Sequence, residues 1–163
     1  MAKSKEEKTN VMRVLEQKKI AYTAHTYPHE EGMAVDGVTA AKSMGFDPAI
    51  VFKTLVARGA SKQYYVFDVP VAENLDLKKA AKAVGEKSIE MIHQKELLPL
   101  TGYVHGGCSP VGMKKLFPTV FHSSAENLAA MIVSAGKIGY QVELSPRDLA
   151  ALVRAKFADI IVE

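Results

Sequence analysis

Lys53 interrupts the stretch VFKTLVAR, residues 51–58. Read as a strand, Val51, Lys53, Leu55 and Ala57 share one face and Phe52, Thr54 and Val56 the other, and both faces are otherwise apolar. Such a segment belongs inside a sheet, where an ammonium without compensation is costly. Two readings stand: the strand lies at an edge and the lysine snorkels to water, or the lysine opens onto a pocket and meets an anion, with the Thr54 hydroxyl beside it. A second candidate is GGCSPVG, Gly106–Gly112, whose glycines and proline mark a loop that lets a ligand approach backbone N–H groups, although plain turn chemistry also explains it. Ser109 is not a nucleophile elbow, because that turn needs a glycine two residues after the serine and Val111 stands there. Cys108 and His105 are three residues apart and offer a thiolate pair only if both face the same way; a small, partly buried thiol is the plainer reading.

Other polar residues give weaker signals. His25 and His29 bracket Pro28, so they share no helical face, and no neighbouring His or Cys completes a metal set. Gly136 and Gly139 frame a GxxG turn with Lys137 at its tip, a pattern found both against nucleic-acid backbones and in ordinary hairpins. Lys78, Lys79, Lys82, Lys114 and Lys115 suit either an RNA backbone or a solvated face. Net charge is +3, which permits an anionic partner without making a strongly basic binder. The single cysteine excludes an intramolecular disulfide and a CxxC zinc pair. Apolar runs are too short for a bilayer and MAKSKEEKTN has no apolar signal core, so the expected location is the cytoplasm.

The elements that must position these residues follow from periodicity. With 48% hydrophobic and 24% charged residues, the 163-residue chain fits one globular domain, 1–163. Val11, Val14, Leu15 and Lys18 predict a first amphipathic helix, Ile20 to Tyr27 a strand, and GVTAAKSMGF a short helix closed by Gly45. VFKTLVAR and QYYVFDVP predict an antiparallel hairpin. LDLKKAAKAVG is a helix with Leu75, Leu77, Ala81 and Val84 inward; SIEMI is a strand, HQKELLPLTG a helical turn or two, and Tyr103 to His105 a strand. TVFHS, AAMIVS and GYQVEL are further strands, and SPRDLAALVRA is a helix capped by Ser145 with Pro146 first. Many connections are too short for parallel crossovers, which gives an α+β fold around a mixed, mostly antiparallel sheet.

In order, HTYPH, VFKTLV, LDLKKAAKAVG, TGYVHGGCSPVGMKK, VSAGKIGYQVEL and KFADI resemble the YbaK-type Cys-tRNA(Pro) deacylases, relatives of the editing domain inserted in bacterial prolyl-tRNA synthetases. The resemblance covers nearly the whole chain, and KT on a strand followed by GGxSPxG and SxGKxG is its specific part. It implies a barrel-like sheet with surrounding helices, and trans-editing hydrolysis of misacylated Cys-tRNA(Pro). Lys53 is then the central lysine of a pocket for the aminoacylated 3′ end, and the loop of Gly106, Gly107, Cys108, Ser109 and Pro110 surrounds the ester. By position, Tyr27, Thr54, Ser134 and Gly136 join the pocket, as do two departures: Asp36, where relatives have an aromatic residue, and Gln141, where they have an acidic one. The departures bear on side-chain specificity more than on activity.

Ester hydrolysis needs a nucleophile and a stabilised oxyanion, yet these residues supply a cation and N–H donors without a convincing protein nucleophile or base. In the family the thiol of the misattached cysteine attacks its own ester, so the protein acts by positioning and electrostatics, with no metal and no cofactor. Lys53 would hold the terminal adenosine or phosphate end while N–H groups of Gly107 to Ser109 receive the negative oxygen. The implied partner is the acceptor end of tRNA(Pro), with a transient prolyl-tRNA synthetase complex also allowed. The rival readings are a non-catalytic module that captures the tRNA end or a nucleotide, and a Cys108 thiol hydrolase.

Overall fold

The computed structural model describes residues 8–163; residues 1–7, with the start of the charged N-terminal stretch, lie outside the described residues. Helix α1 spans Asn10–Gln17 because the Thr9 hydroxyl accepts the Met12 N–H at 3.2 Å and Val11, Met12 and Leu15 form a buried stripe. Lys18, expected on that stripe, is instead the exposed C-cap. Strand β1, Tyr22–Thr26, leads to α2, Gly37–Ser43, which is capped by Asp36. A 3-10 turn at Pro48–Ile50 then feeds β2, Phe52–Gly59, which pairs antiparallel with β3, Tyr64–Pro70, as the hairpin pattern predicts.

Beyond β3 come α3 (Leu77–Val84), β4 (Ile89–Met91), α4 (Gln94–Thr101), β5 (Thr119–His122), β6 (Met131–Ser134), β7 (Tyr140–Leu144), α5 (Pro146–Val153) and β8 (Ala155–Ala158). Asp76 caps α3 by accepting the N–H groups of Lys78 and Lys79, and Gly85 closes it at φ 75°. Leu77, expected inward, is 42% exposed, because the face of α3 against the sheet is carried by Ala80 and Ala81. Ser145 caps α5 as expected, through the Asp148 N–H.

The fold is α+β with mixed sheets, as expected. The strands form two sheets: an antiparallel one ordered β1-β7-β6 and a five-stranded one ordered β4-β2-β3-β5-β8. In the larger sheet β3 pairs parallel with β5, and β5 with β8, since the long excursions through α3–α4 and through β6–α5 give room for parallel crossovers. One parallel bridge, Val51 to Ile132, joins the sheets. The larger sheet is packed on both faces. On one side Phe52 and Phe121 meet Leu15, Val142 and Leu149; on the other Phe67, Val69 and Val120 meet Ala80, Ala81 and Ile160.

One further expected element is absent and one arises unforeseen. Tyr103 to His105 is not a strand: the Tyr103 N–H turns back to the Thr101 hydroxyl and its phenol donates to the Val111 carbonyl, which folds the segment into irregular loop. Strand β8 stands where no strand is predicted.

Candidate active site

The site grows out of an asymmetry in β2. Strand β4 covers its outer edge only at Ala57–Gly59, so the first half of β2 has no strand of the larger sheet beside it on that edge. Past the Val51–Ile132 bridge, the residues of β2 from Phe52 to Leu55 and Ser134 at the end of β6 line one cavity of about 380 Å³. Tyr27 after β1, Gln141 on β7, Ala34 to Gly37 before α2, Leu97 on α4, and His105, Gly106 and Cys108 of the following loop complete the wall. The two readings of Lys53 therefore merge: it lies on a locally uncovered strand edge, and that edge faces a pocket.

Eight of the twelve expected site residues line this cavity: Lys53, Tyr27, Asp36, Thr54, Gly106, Cys108, Ser134 and Gln141. Four do not. Ser109 is fully buried with its hydroxyl accepting the Val111 N–H at 3.2 Å, and Pro110 beside it is buried too, so both brace the loop from behind. Gly107 donates its N–H to the Val104 carbonyl at 3.0 Å and is therefore not a free donor. Gly136, at φ 97°, gives its N–H to the Ser134 hydroxyl and packs on Tyr103 and Val11.

Gly106 shows why this loop needs glycine. Its φ is 90°, and a Cβ built there would sit 2.7 Å from the Ala34 methyl. The close approach holds the loop against the segment before α2, so both walls of the pocket meet at this contact.

Burial pushes the Lys53 ammonium below its ordinary pKa, while the carboxylates of Asp36 and Glu73 work in the opposite direction. Lys53 makes no ion pair with a carboxylate among the described residues. Asp36 has its own task, since its carboxylate accepts the Thr39 N–H at 3.1 Å and the Thr39 hydroxyl at 3.2 Å. The Cys108 thiol is pushed up to about 12 by burial and then by the nearby Asp68, while the Thr101 hydroxyl opposes this. At neutral pH it stays protonated, which removes the thiolate that a Cys108 nucleophile requires. Among the described residues no three His, Cys, Asp or Glu side chains come together as a metal set.

One residue beside the site carries no signal in the reading above. Asp68 on β3 stands directly opposite Thr54 in the hairpin register and is wholly buried. The Thr54 hydroxyl donates to its Oδ1 at 2.5 Å, and its Oδ2 has no partner among the described residues. The signal was available: in YYVFDVP a carboxylate interrupts an apolar strand as Lys53 does in its neighbour. Gln141, buried at the pocket wall, likewise leaves its Oε1 without a partner.

Residues 29–152 match the model of the aminoacyl-tRNA editing domain. A protein of Enterococcus faecalis named as a Cys-tRNA(Pro)/Cys-tRNA(Cys) deacylase, EbsC, is 45% identical over 98% of each chain. Among solved structures, one described as a trans-editing enzyme for prolyl tRNA synthetase has a TM-score of 0.81 over 98% of this chain and 100% of its own, at 24% identity, a likeness of fold. A scaffold protein used for epitope backbone grafting has a TM-score of 0.82 at 25% identity, over 94% of this chain and 95% of its own. With the family model spanning most of the chain and a relative of this identity over nearly its full length, the chain belongs to the aminoacyl-tRNA editing domain family, of YbaK type.

Proposed function

We propose that the protein is an aminoacyl-tRNA deacylase that receives the 3′ end of Cys-tRNA(Pro) in the pocket beside β2 and frees the cysteine. The observation that carries this reading is the Lys53 ammonium, partly desolvated, on the wall of a ligand-sized cavity and without an ion-pair partner among the described residues. A cation held that way is spent on a ligand anion rather than on the fold. The acceptor end supplies the anion as phosphate, and the ester carbonyl gains negative charge as it is attacked.

The pocket offers no thiolate of its own, so the nucleophile is the thiol of the substrate. Holding that thiol against its own ester makes the attack intramolecular, where orientation alone supplies a large part of the acceleration. With the Gly107 N–H committed to Val104 and Ser109 buried behind the loop, the donor of that trio left for the developing oxyanion is the Cys108 N–H. The name of the Enterococcus relative and the family support the substrate class. A transient complex with prolyl-tRNA synthetase fits the same reading, and without it the isolated protein should discriminate poorly among tRNAs. The test is release of labelled cysteine from Cys-tRNA(Pro), with Pro-tRNA(Pro) as control. Release well above the buffer rate, with the prolyl ester spared, is expected; capture of the tRNA without release would instead make the protein a binding module.

A further inference from the structure

We propose that Asp68, although walled off from the pocket, acts through Thr54 as the proton acceptor for the substrate's thiol. This rests on the deacylase reading above and supplies the base that reading lacks. The geometry is a two-member chain. Thr54 lines the pocket, its hydroxyl proton points away from it toward Asp68 Oδ1 at 2.5 Å, and Asp68 is 0% exposed. A hydroxyl has one proton to give, so with that proton committed to Asp68, Thr54 presents only lone pairs to the pocket. A substrate group placed there must be a donor, which a cysteinyl thiol is and a prolyl or alanyl side chain is not.

Three features make this more than a structural hydrogen bond. Asp68 Oδ2 has no partner among the described residues, an unusual condition for a carboxylate buried to this degree. Among the described residues no cation pairs with it: β2 presents Thr54, β5 presents Phe121 at the paired position, and the loop contributes Cys108, a thiol kept neutral and itself beside Thr101 of α4. Burial therefore lifts the Asp68 carboxyl to about 7, against which the Thr54 hydrogen bond works only partly. A base with affinity for protons near the working pH is matched to abstraction from a thiol.

The step balances within the substrate and these two residues. The thiol proton moves to Thr54 Oγ1 as the Thr54 proton moves to Asp68 Oδ1. The sulfur electron pair forms a bond to the ester carbonyl carbon, the bond from that carbon to the ribose oxygen breaks, and the ribose oxygen takes back a proton through the same chain in reverse. The products are a cyclic thioester of cysteine, which water opens, and tRNA with a free terminal hydroxyl. Protonating Asp68 reverses the hydrogen bond, since the carboxyl then donates to Thr54, and the relay stops.

The experiment is the pH dependence of kcat/KM on Cys-tRNA(Pro) over roughly pH 5.5 to 8.5 for the parent, Asp68→Asn, Thr54→Val and Thr54→Ser. The parent should rise with pH through an inflection near 7. Asp68→Asn and Thr54→Val should lose that inflection and fall by about 10²-fold, the lower end for general-base removal, while Thr54→Ser, which keeps the hydroxyl, should retain the profile. Thermal melts give a readout independent of activity. The folded pKa lies above the unfolded one, so Asp68 contributes stability that grows as pH falls from about 7 toward 4, and Asp68→Asn should lose Tm relative to the parent over that window. If Asp68→Asn fails to fold, the Thr54 pair still decides. An Asp68→Asn enzyme that keeps both its inflection and its rate overturns the relay and leaves the deacylase reading standing; a parent that frees no cysteine takes both down.

Discussion

Lys53 and Lys79 are both partly covered lysines, and the protein treats them in opposite ways. Lys79, on α3, donates to Asp159 at 3.0 Å, to the Ile161 carbonyl at 2.9 Å and to Glu163 at 3.3 Å, which ties the last residues of the chain onto the helix. Its pKa is raised, chiefly by the Asp159 hydrogen bond. Lys53 has no such set among the described residues, and its pKa is lowered by burial. The buried oxygens follow the same division: among the described residues, the side-chain atoms without partners, Asp68 Oδ2 and Gln141 Oε1, lie behind Thr54 and on the pocket wall respectively. Near the C-terminal corner, the Nδ1 of His122 accepts the Ile160 N–H at 3.3 Å. A satisfied polar group belongs to the architecture. The unsatisfied ones gather at the pocket wall and directly behind it.

The hardest way to break this comparison is to remove both lysines in turn. Lys53→Ala should lower deacylation by about 10³-fold, the scale of a lost electrostatic contact in a desolvated site, with little change in Tm or a slight rise. Lys53→Arg sharpens it: a planar guanidinium keeps the charge and alters the geometry, so that variant should also be badly impaired in the same cysteine-release assay. Two active variants would make Lys53 a snorkelling side chain no different in kind from its surface neighbours.

Cys108→Ala should lower deacylation by at most a few fold, because the thiol is neutral and the loop acts through its backbone. A loss of about 10³-fold or more, as for a true nucleophile, would restore the thiol hydrolase. Lys79→Ala should do the reverse of Lys53→Ala, with a modest fall in Tm, smaller at high salt, and unchanged cysteine release. The smallest effect concerns His122. Burial holds its folded pKa below the unfolded value, so its contribution to stability is present above about pH 6.5 and is lost as pH falls through that value toward the folded pKa. In melts, His122→Asn should gain Tm relative to the parent as pH falls over that window.

Much of this was legible in the chain, and the failures have physical causes. Lys53, with Thr54 beside it, stands out because a charge breaks a run that is apolar on both faces, and such local pattern is what a sequence displays best. The caps at Asp76 and Ser145 are local too. Strand pairing is not, and nothing near β6 or β7 announces that they leave the larger sheet for a smaller one with β1. Strand β8 was hidden because α5 ends on Arg154 at φ 58°, a left-handed cap without the glycine that usually betrays one. Within the loop, glycine composition marked the right segment but could not tell Gly106, which faces the pocket, from Gly107, whose N–H is already used. Asp68 interrupts its apolar strand as visibly as Lys53 does, but its link to the site rests on its register opposite Thr54, which local pattern does not display.

The half-covered edge of β2 has a consequence for solubility. An uncovered strand in the middle of a sheet-rich protein is a template on which another chain can add itself, and proteins blunt such edges with charge, with short length or with a cover. Here the stretch carries a lysine, runs only from Phe52 to Val56 before β4 takes over at Ala57, and lies within a concave wall rather than on a flat flank. A hollow of this shape is therefore a poor landing place for the broad edge of a second sheet, and its concavity also guards the molecule against joining its own copies.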